Sequence, residues 1–243
     1  MWRFLTVLVF LVSFGSTAHS QVLISLLLGD KLNSDKIEFG LDGGLNWSQI
    51  GNLDSNSSYR TFNLGFYFDI LLDDKNKWSF YTGVLVKSQL GADKLSEQDL
   101  EFLEITPDPE FNEGTYSQRL NYFLVPALMR YNFPNRLYLE GGPQFGLMYK
   151  SSVDFNSETD ERDIEIRKYN KDKINKIDAG ISGGIGYRLS PRKGMSVGLR
   201  YYYGFVNTYK GVSGTNNSSL FAKFTIPIGT GGKKVNQQNN QTL

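Results

Sequence analysis

The sequence predicts an all-β protein, an eight-stranded antiparallel up-and-down transmembrane β-barrel. Three observations carry this expectation: eight stretches alternate apolar and polar residues, the links between them alternate long and short, and aromatic residues gather at both ends of the stretches.

The first stretch is KIEFGLDGGLNW (36–47). Ile37, Phe39, Leu41, Leu45 and Trp47 share a face with Gly43, and Glu38, Gly40, Asp42, Gly44 and Asn46 share the other. In the second, at 59–70, Phe62, Leu64, Phe66, Phe68 and Ile70 alternate with Thr61, Asn63, Gly65, Tyr67 and Asp69. In the third, at 78–89, Trp78, Phe80, Val84 and Val86 oppose Ser79, Tyr81, Gly83 and Lys87. The fourth, at 117–133, is apolar on both faces at its centre, and its phase stays open; Pro126 within it predicts a local bulge. At 136–150, Leu137, Leu139, Phe145, Leu147 and Tyr149 oppose Glu140, Gly142, Gln144 and Gly146. At 174–188, Ile177, Ala179, Ile181, Ile185 and Tyr187 oppose Asp178, Gly180, Ser182, Gly184 and Arg188. The seventh (195–208) sets Met195, Val197, Leu199, Tyr201, Tyr203 and Phe205 against Ser196, Gly198, Arg200, Gly204 and Thr208. The eighth (218–228) sets Leu220, Ala222, Phe224, Ile226 and Ile228 against Lys223 and Thr225. No convincing helix pattern separates these stretches.

The links DDKNK (73–77), FPNR (133–136) and SPRKG (190–194) read as tight turns. Those at about 51–58, 91–116, 151–173 and 209–217 are longer and polar. Long loops on one side and short turns on the other mark an outer-membrane barrel, and Greek-key sandwiches lack that regularity. The polar faces hold Gly, Ser, Asn and Asp rather than the Lys, Glu and Thr of a solvent surface, which suits a crowded eight-stranded lumen. Trp47, Tyr149 and Tyr203 near the long loops, and Trp78, Phe133 and Tyr187 near the turns, form the two expected interfacial belts. The Leu/Phe face therefore points to lipid. Leu64 is expected mid-membrane on that face, and its neighbour Gly65 in the lumen, where an added methyl would crowd the interior.

At the N-terminus, Arg3, the apolar run Phe4 to Val12, and Ala18 and Ser20 before Gln21 form the layout of a secretory signal peptide over 1–20. Residues 21–35 are expected to lie in the periplasm, 36–228 to form the barrel and 229–243 to be a polar disordered tail. Val22 to Leu28 is compatible with a strand, a helical turn or a lumen plug. The apolar runs of the mature chain fall short of the ~20 residues of a spanning helix. The net charge of +1 offers nothing to nucleic acid. Expected partners are outer-membrane lipid, lipopolysaccharide and the barrel-assembly machinery, and an even strand count puts both termini in the periplasm.

The pieces FGLDGGLNWS (39–48), YFLVPALMRYNF (122–133), YLEGGPQFGLMYK (138–150), DAGISGGIGYRL (178–189) and GLRYYYGFVN (198–207) resemble the PorT-like outer-membrane β-barrel family and its "porin family protein" relatives from the Bacteroidota. The resemblance runs from about Asp30 to Ile228. It implies an eight-stranded outer-membrane barrel, with secretion-system proteins as further partners. The tail GTGGKKVNQQNNQTL departs from it, since many such barrels end on an aromatic.

The sequence has one His, His19, inside the expected signal peptide, and no Cys. Ser-His and Cys-His nucleophile pairs and ordinary N/S zinc sites are thereby removed from the mature chain. The Gly pairs at 43–44, 141–142 and 183–184 sit mid-strand with no helix after them, so they are not nucleotide loops. No enzyme, cofactor or metal is expected. Loop 91–116 carries Asp93, Glu97, Asp99, Glu101, Glu104, Asp108, Glu110 and Glu113 against Lys94 and reads as a solvated acidic loop without calcium-loop spacing. The mixed run 158–173 reads as a mobile outer loop.

Alternation sends Glu38, Asp42, Asp69, Glu140 and Asp178 into the lumen with Lys87, Lys176, Arg188, Arg200 and Lys223. Arg130 joins them if its strand keeps the even-inward phase. Nearly balanced charges in a narrow interior predict an ion-paired network that plugs it.

Overall fold

The computed structural model describes residues 34, 36–55, 57–105, 114–159, 162–190 and 194–228. The expected signal peptide, the run Val22 to Leu28 and the tail 229–243 lie outside the described residues.

Nine strands follow one another: β1 (Ile37–Ile50), β2 (Tyr59–Leu71), β3 (Trp78–Ala92), β4 (Thr115–Asn132), β5 (Leu137–Thr159), β6 (Arg162–Tyr169), β7 (Ile177–Arg188), β8 (Ser196–Asn207) and β9 (Asn216–Pro227). A short helix, α1 (Glu97–Phe102), lies between β3 and β4. Every pairing is antiparallel, and β4–β5 and β1–β9 pairs close eight of the strands into a ring. Closure matters in lipid, where an unpaired strand edge has no water to bond. The order around the ring is β1, β2, β3, β4, β5, β7, β8, β9, so β2 faces β7 across the lumen and β4 faces β9.

β6 stands outside the ring. The lower half of β5 pairs with β7 (Leu137↔Tyr187 to Leu147↔Ile177), and its upper half pairs with β6 (Ser152↔Tyr169 to Thr159↔Arg162). The run 158–173, expected to be a mobile loop, thus includes a strand that extends a hairpin beyond the barrel. Its alternation (Ile164 and Ile166 against Asp163, Glu165 and Arg167) was legible but masked by charge. The hairpin base is fastened by Asp154, which accepts from Arg119 (3.0 Å) and from Arg167 (2.9 and 3.0 Å). The bonds to the Asp154 carboxylate hold the Arg167 guanidinium above its ordinary pKa.

The outward face is the apolar one. Ile181, Ile185, Leu199, Phe145 and Leu139 are exposed on it, whereas Asp42, Arg130, Glu140 and Arg200 are buried. Trp78, Phe133 and Tyr187 lie outward at the short-turn end, with Trp78 edge-on to Tyr131 at 4.9 Å. Tyr149 and Tyr203 lie outward nearer the long loops, Tyr149 stacked on Phe123 at 4.7 Å, and Trp47 sits half-buried between Arg60 and Leu220.

Two local expectations need correction. β4 keeps its register across Pro126, from Thr82↔Ala127 to Leu85↔Leu124, so there is no bulge at the proline. The bulges lie elsewhere, at Leu85/Ser88 against β4 and at Asn121/Tyr122 against β5. Gly65 is required by backbone approach rather than by lumen space: a Cβ there would collide with the Val84 carbonyl and lie 2.5 Å from Leu85 Cα. Leu64 is outward as expected, and its β1 partner Gly43 lies four residues, roughly 10 Å at the usual rise and tilt, below Trp47 of the long-loop belt.

Depth then sets the cost of an outward charge. Ile177, 65% exposed and ten residues above Tyr187, lies roughly 25 Å up at the long-loop edge of the apolar band, whereas Leu64 lies within it. Leu64→Arg is expected to destabilise the barrel by about 2–4 kcal/mol, and Ile177→Arg by only ~0–1 kcal/mol. Urea-dependent folding into lipid vesicles checks this, and equal costs at the two positions would refute the depth assignment.

Candidate functional site: the filled lumen

Inward side chains form two layers. Nearest the short turns is a charged layer, built from positions that alternation turns inward on β1, β2, β4, β5, β7, β8 and β9. Arg130 lies at its centre, 2% exposed. One amino group of Arg130 donates to Asp69 Oδ2 at 2.7 Å, and the other to Glu140 Oε2 at 2.7 Å. Arg200 Nε donates to the second Glu140 oxygen at 2.7 Å. Arg188 donates to Asp69 Oδ2 at 2.5 Å and lies 3.7 Å from Glu38 Oε1. Lys223 pairs with Asp42 at 2.5 Å. Four acids thus meet four bases, each within ion-pair reach of an opposite charge. The Arg188–Asp69 bond runs from β7 to β2, across the full width of the ring.

Aromatic rings fill the space between these charges. Tyr67 and Tyr81 stack at 5.4 Å, and their hydroxyls donate to Glu38 (2.8 Å) and Asp42 (2.6 Å). The Arg130 guanidinium is sandwiched between the Tyr81 ring at 4.3 Å and the Tyr138 ring at 4.0 Å. Tyr138 fits because its neighbours are glycines: a Cβ on Gly186 would overlap its ring, and one on Gly198 would lie 2.9 Å from its hydroxyl. Inward glycine here makes room for inward tyrosine.

Above this layer Asp178 accepts from Asn217 Nδ2 at 2.9 Å, and the same amide reaches the Tyr122 hydroxyl at 3.4 Å, from β9 to the facing β4. Higher still the lumen turns apolar. Leu85, Leu90, Leu120, Leu124, Met148 and Phe221 pack together, continuous with Ile50, Leu95, Leu100, Leu103, Ile174 and Tyr209 at the rim. Leu100 comes from α1 and Leu103 is its C-cap residue, so the helix covers the barrel mouth.

The helix starts where it does because Ser96 and Asp99 make a capping box: Ser96 Oγ accepts from Asp99 N at 3.0 Å, and Asp99 Oδ2 accepts from Ser96 N at 2.9 Å. Asp99 also accepts from Asp54 N at 2.7 Å, tying the helix to the β1–β2 loop. Loop 91–116 is therefore only partly the solvated acidic loop expected. Glu97, Glu101 and Glu104 are exposed, but Asp99 is buried and Asp93 accepts from Ser117 Oγ at 2.5 Å. Among the described residues no cluster of His, Cys, Asp and Glu could hold a metal ion. Burial pushes the Tyr209 phenol up from its ordinary pKa, and it remains a donor, to Gln118 Oε1 at 2.8 Å.

Nine of the eleven charges expected in the lumen are there: Glu38, Asp42, Asp69, Arg130, Glu140, Asp178, Arg188, Arg200 and Lys223. Asp178 is hydrogen-bonded, with no cation within 4 Å of it among the described residues. Lys87 is not in the lumen. Gly65 pairs with Leu85 and Leu64 with Lys87, so Val86 is an extra residue that reverses the alternation; Leu85 turns in, and Val86 and Lys87 turn out. Lys176 is not in the lumen either. It precedes the first residue of β7, where the pleat does not fix its direction, and its side chain is exposed at the rim. The apolar upper layer was missed, because the strict alternation read in β3 turns Leu90 outward. The Ser96–Asp99 spacing was the signal for the cap helix.

A closed antiparallel barrel, apolar outside and charged inside, defines the chain as a membrane-spanning β-barrel. The family described as "Outer membrane protein beta-barrel domain" matches residues 30–210, and the chain belongs to that family. Among solved structures it is similar to Ail, the attachment invasion locus protein of Yersinia pestis, in complex with the heparin analogue sucrose octasulfate (9% identity, 79% of this chain and 99% of that one, TM-score 0.43). It is also similar to OprG from Pseudomonas aeruginosa (11%, 79% and 93%, 0.36) and to the Pseudomonas putida toluene transporter TodX (17%, 78% and 50%, 0.31). No curated protein matches the chain.

Arg130→Met removes the shared partner of Asp69 and Glu140 and is expected to cost about 3–5 kcal/mol. Lys176→Met, outside the network, is expected to change stability by less than ~0.5 kcal/mol. Urea unfolding in detergent micelles followed by tryptophan fluorescence makes the comparison, and equal midpoints would show that the charged layer contributes nothing.

Proposed function

We propose that this is a non-enzymatic outer-membrane barrel with a closed lumen, acting through its long-loop end and its lipid-facing surface rather than as a general diffusion pore. The observation that carries the reading is the Arg188–Asp69 bond between strands on opposite sides of the ring, lying beneath an apolar layer that α1 covers. A hydrated path would have to break ion pairs in a space eight strands wide. The non-enzymatic part rests on the sole His lying at position 19 and on the lack of Cys. In this reading residues 1–20 are a cleaved signal peptide, both termini are periplasmic, and the partners are outer-membrane lipid, lipopolysaccharide and the barrel-assembly machinery. A structural or adhesive role suits the β5–β6 hairpin, which projects beyond the ring.

The resemblance of segments such as YLEGGPQFGLMYK (138–150) to the PorT-like family supports a second reading, an accessory role in protein secretion. Loss of cargo secretion on deletion of the gene separates it from the first. A soluble, lipocalin-like binder is disfavoured by the continuous outward apolar face.

Planar-bilayer recording tests the closed lumen. The purified protein is expected to give silence or rare small flickers, and stable steps of porin size would overturn the reading. Arg188→Ala, which removes the cross-lumen bond, is expected to raise the frequency of small openings above wild type.

A further inference from the structure

Lys87 stands on the lipid-facing surface, where an isolated charge is costly at mid-membrane and cheap near the interface. With the bulged Val86 adding no rise, its height is roughly 20 Å above the Trp78 belt, in the upper part of an apolar band about 25 Å tall, from which a lysine reaches the interface by extending upward. The side chain leans further the same way. Lys87 pairs with Leu64 in the ladder, yet its Nζ lies over the ring of Phe62, 5.8 Å from the centroid and two residues nearer the long loops. Two residues beyond Phe62 on the same outward face, Arg60 is exposed. Neither cation has a carboxylate within 4 Å among the described residues. The bulge at Val86 is what brings Lys87 out, so the barrel departs from regular pairing at the point that creates this cation.

We propose that Lys87 and Arg60 form a phosphate-binding station for an outer-leaflet lipid of the lipid A class. The acyl chains lie against Phe62, Leu64 and Val86, and a glucosamine phosphate sits between the two cations. The ammonium supplies a point charge at the band's edge, and the guanidinium a planar fork one step above it. The proposal deepens the outer-membrane reading and rests on the long-loop end facing the outer leaflet.

The test uses the full mature chain refolded in phosphatidylcholine nanodiscs, with a fluorescent bisphosphorylated lipid A as probe and its dephosphorylated form as comparison. Wild type is expected to prefer the phosphorylated form. Lys87→Gln and Arg60→Gln should each weaken that binding about fivefold, and the double variant about thirtyfold, the scale of one basic residue each at a charged lipid surface. Lys176→Gln should leave it unchanged. Unboiled gel migration reports folding; if Lys87→Gln does not fold, Lys87→Arg, which keeps the charge, and Arg60→Gln, which lies above the band, carry the comparison. Three results would overturn the proposal: wild-type affinity in the double variant, no preference for the phosphorylated form, or complete displacement by inorganic phosphate, which would make the site one for the free ion. The orientation is read separately. Ser213→Cys, a single thiol in the exposed β8–β9 loop of a chain without Cys, should react with a membrane-impermeant maleimide on intact cells. Failure to label overturns the orientation even where nanodisc binding is normal.

Discussion

The structure depends on one constraint: charges that face into a ring of eight strands must find their partners within it. The exterior meets lipid and can hold no polar backbone edge, so the sheet closes, and closure leaves an interior with room for little beyond its own side chains. Asp69, Glu140, Glu38 and Asp42 then have no solvent to turn to. Arg130, Arg200, Arg188 and Lys223 answer them, and the answer is shared: Arg130 serves two acids, and Glu140 serves two arginines. Sharing of this kind makes the layer a unit, in which loss of one member leaves buried charges on several strands.

The glycines follow from the same crowding. Guanidinium groups stacked on tyrosines need rings that cross the lumen, and rings need opposing positions without a side chain. Tyr138 over Gly186 and Gly198, and Tyr67 over Gly40, are the result. Other inward glycines serve the backbone instead, as at Gly65, where β3 approaches too closely for any Cβ. A Gly-rich inward face therefore records two separate demands, ring packing and strand approach.

The long-loop end obeys different physics. There the interior is apolar, and α1 lowers Leu100 and Leu103 onto it as a small soluble core would be covered. The capping box and the Asp99–Asp54 bond fix the helix over the mouth, and the Asp154 pairs fix the β5–β6 hairpin beside it. Two ends of one barrel are thus sealed by two means, ion pairs below and hydrophobic packing above.

Period-two patterning and the alternation of link lengths determined the eight ring strands, their up-and-down order and which face meets lipid, because each depends only on neighbours in sequence. Arg130's inward direction also followed from parity once its strand's phase was known. What the sequence could not supply were facts about distant positions. The extra residue at Val86, which sends Lys87 outward and Leu90 inward, exists only in the pairing of β3 with β2 and β4. Which acid meets which base depends on strands opposite one another in the ring, as for Arg188 and Asp69, 119 residues apart. The role of Leu100 and Leu103 depends on where a loop helix comes to rest. Alternation is a local property of the pleat; register, facing across the ring and the closing of its mouth are set only when the ring forms.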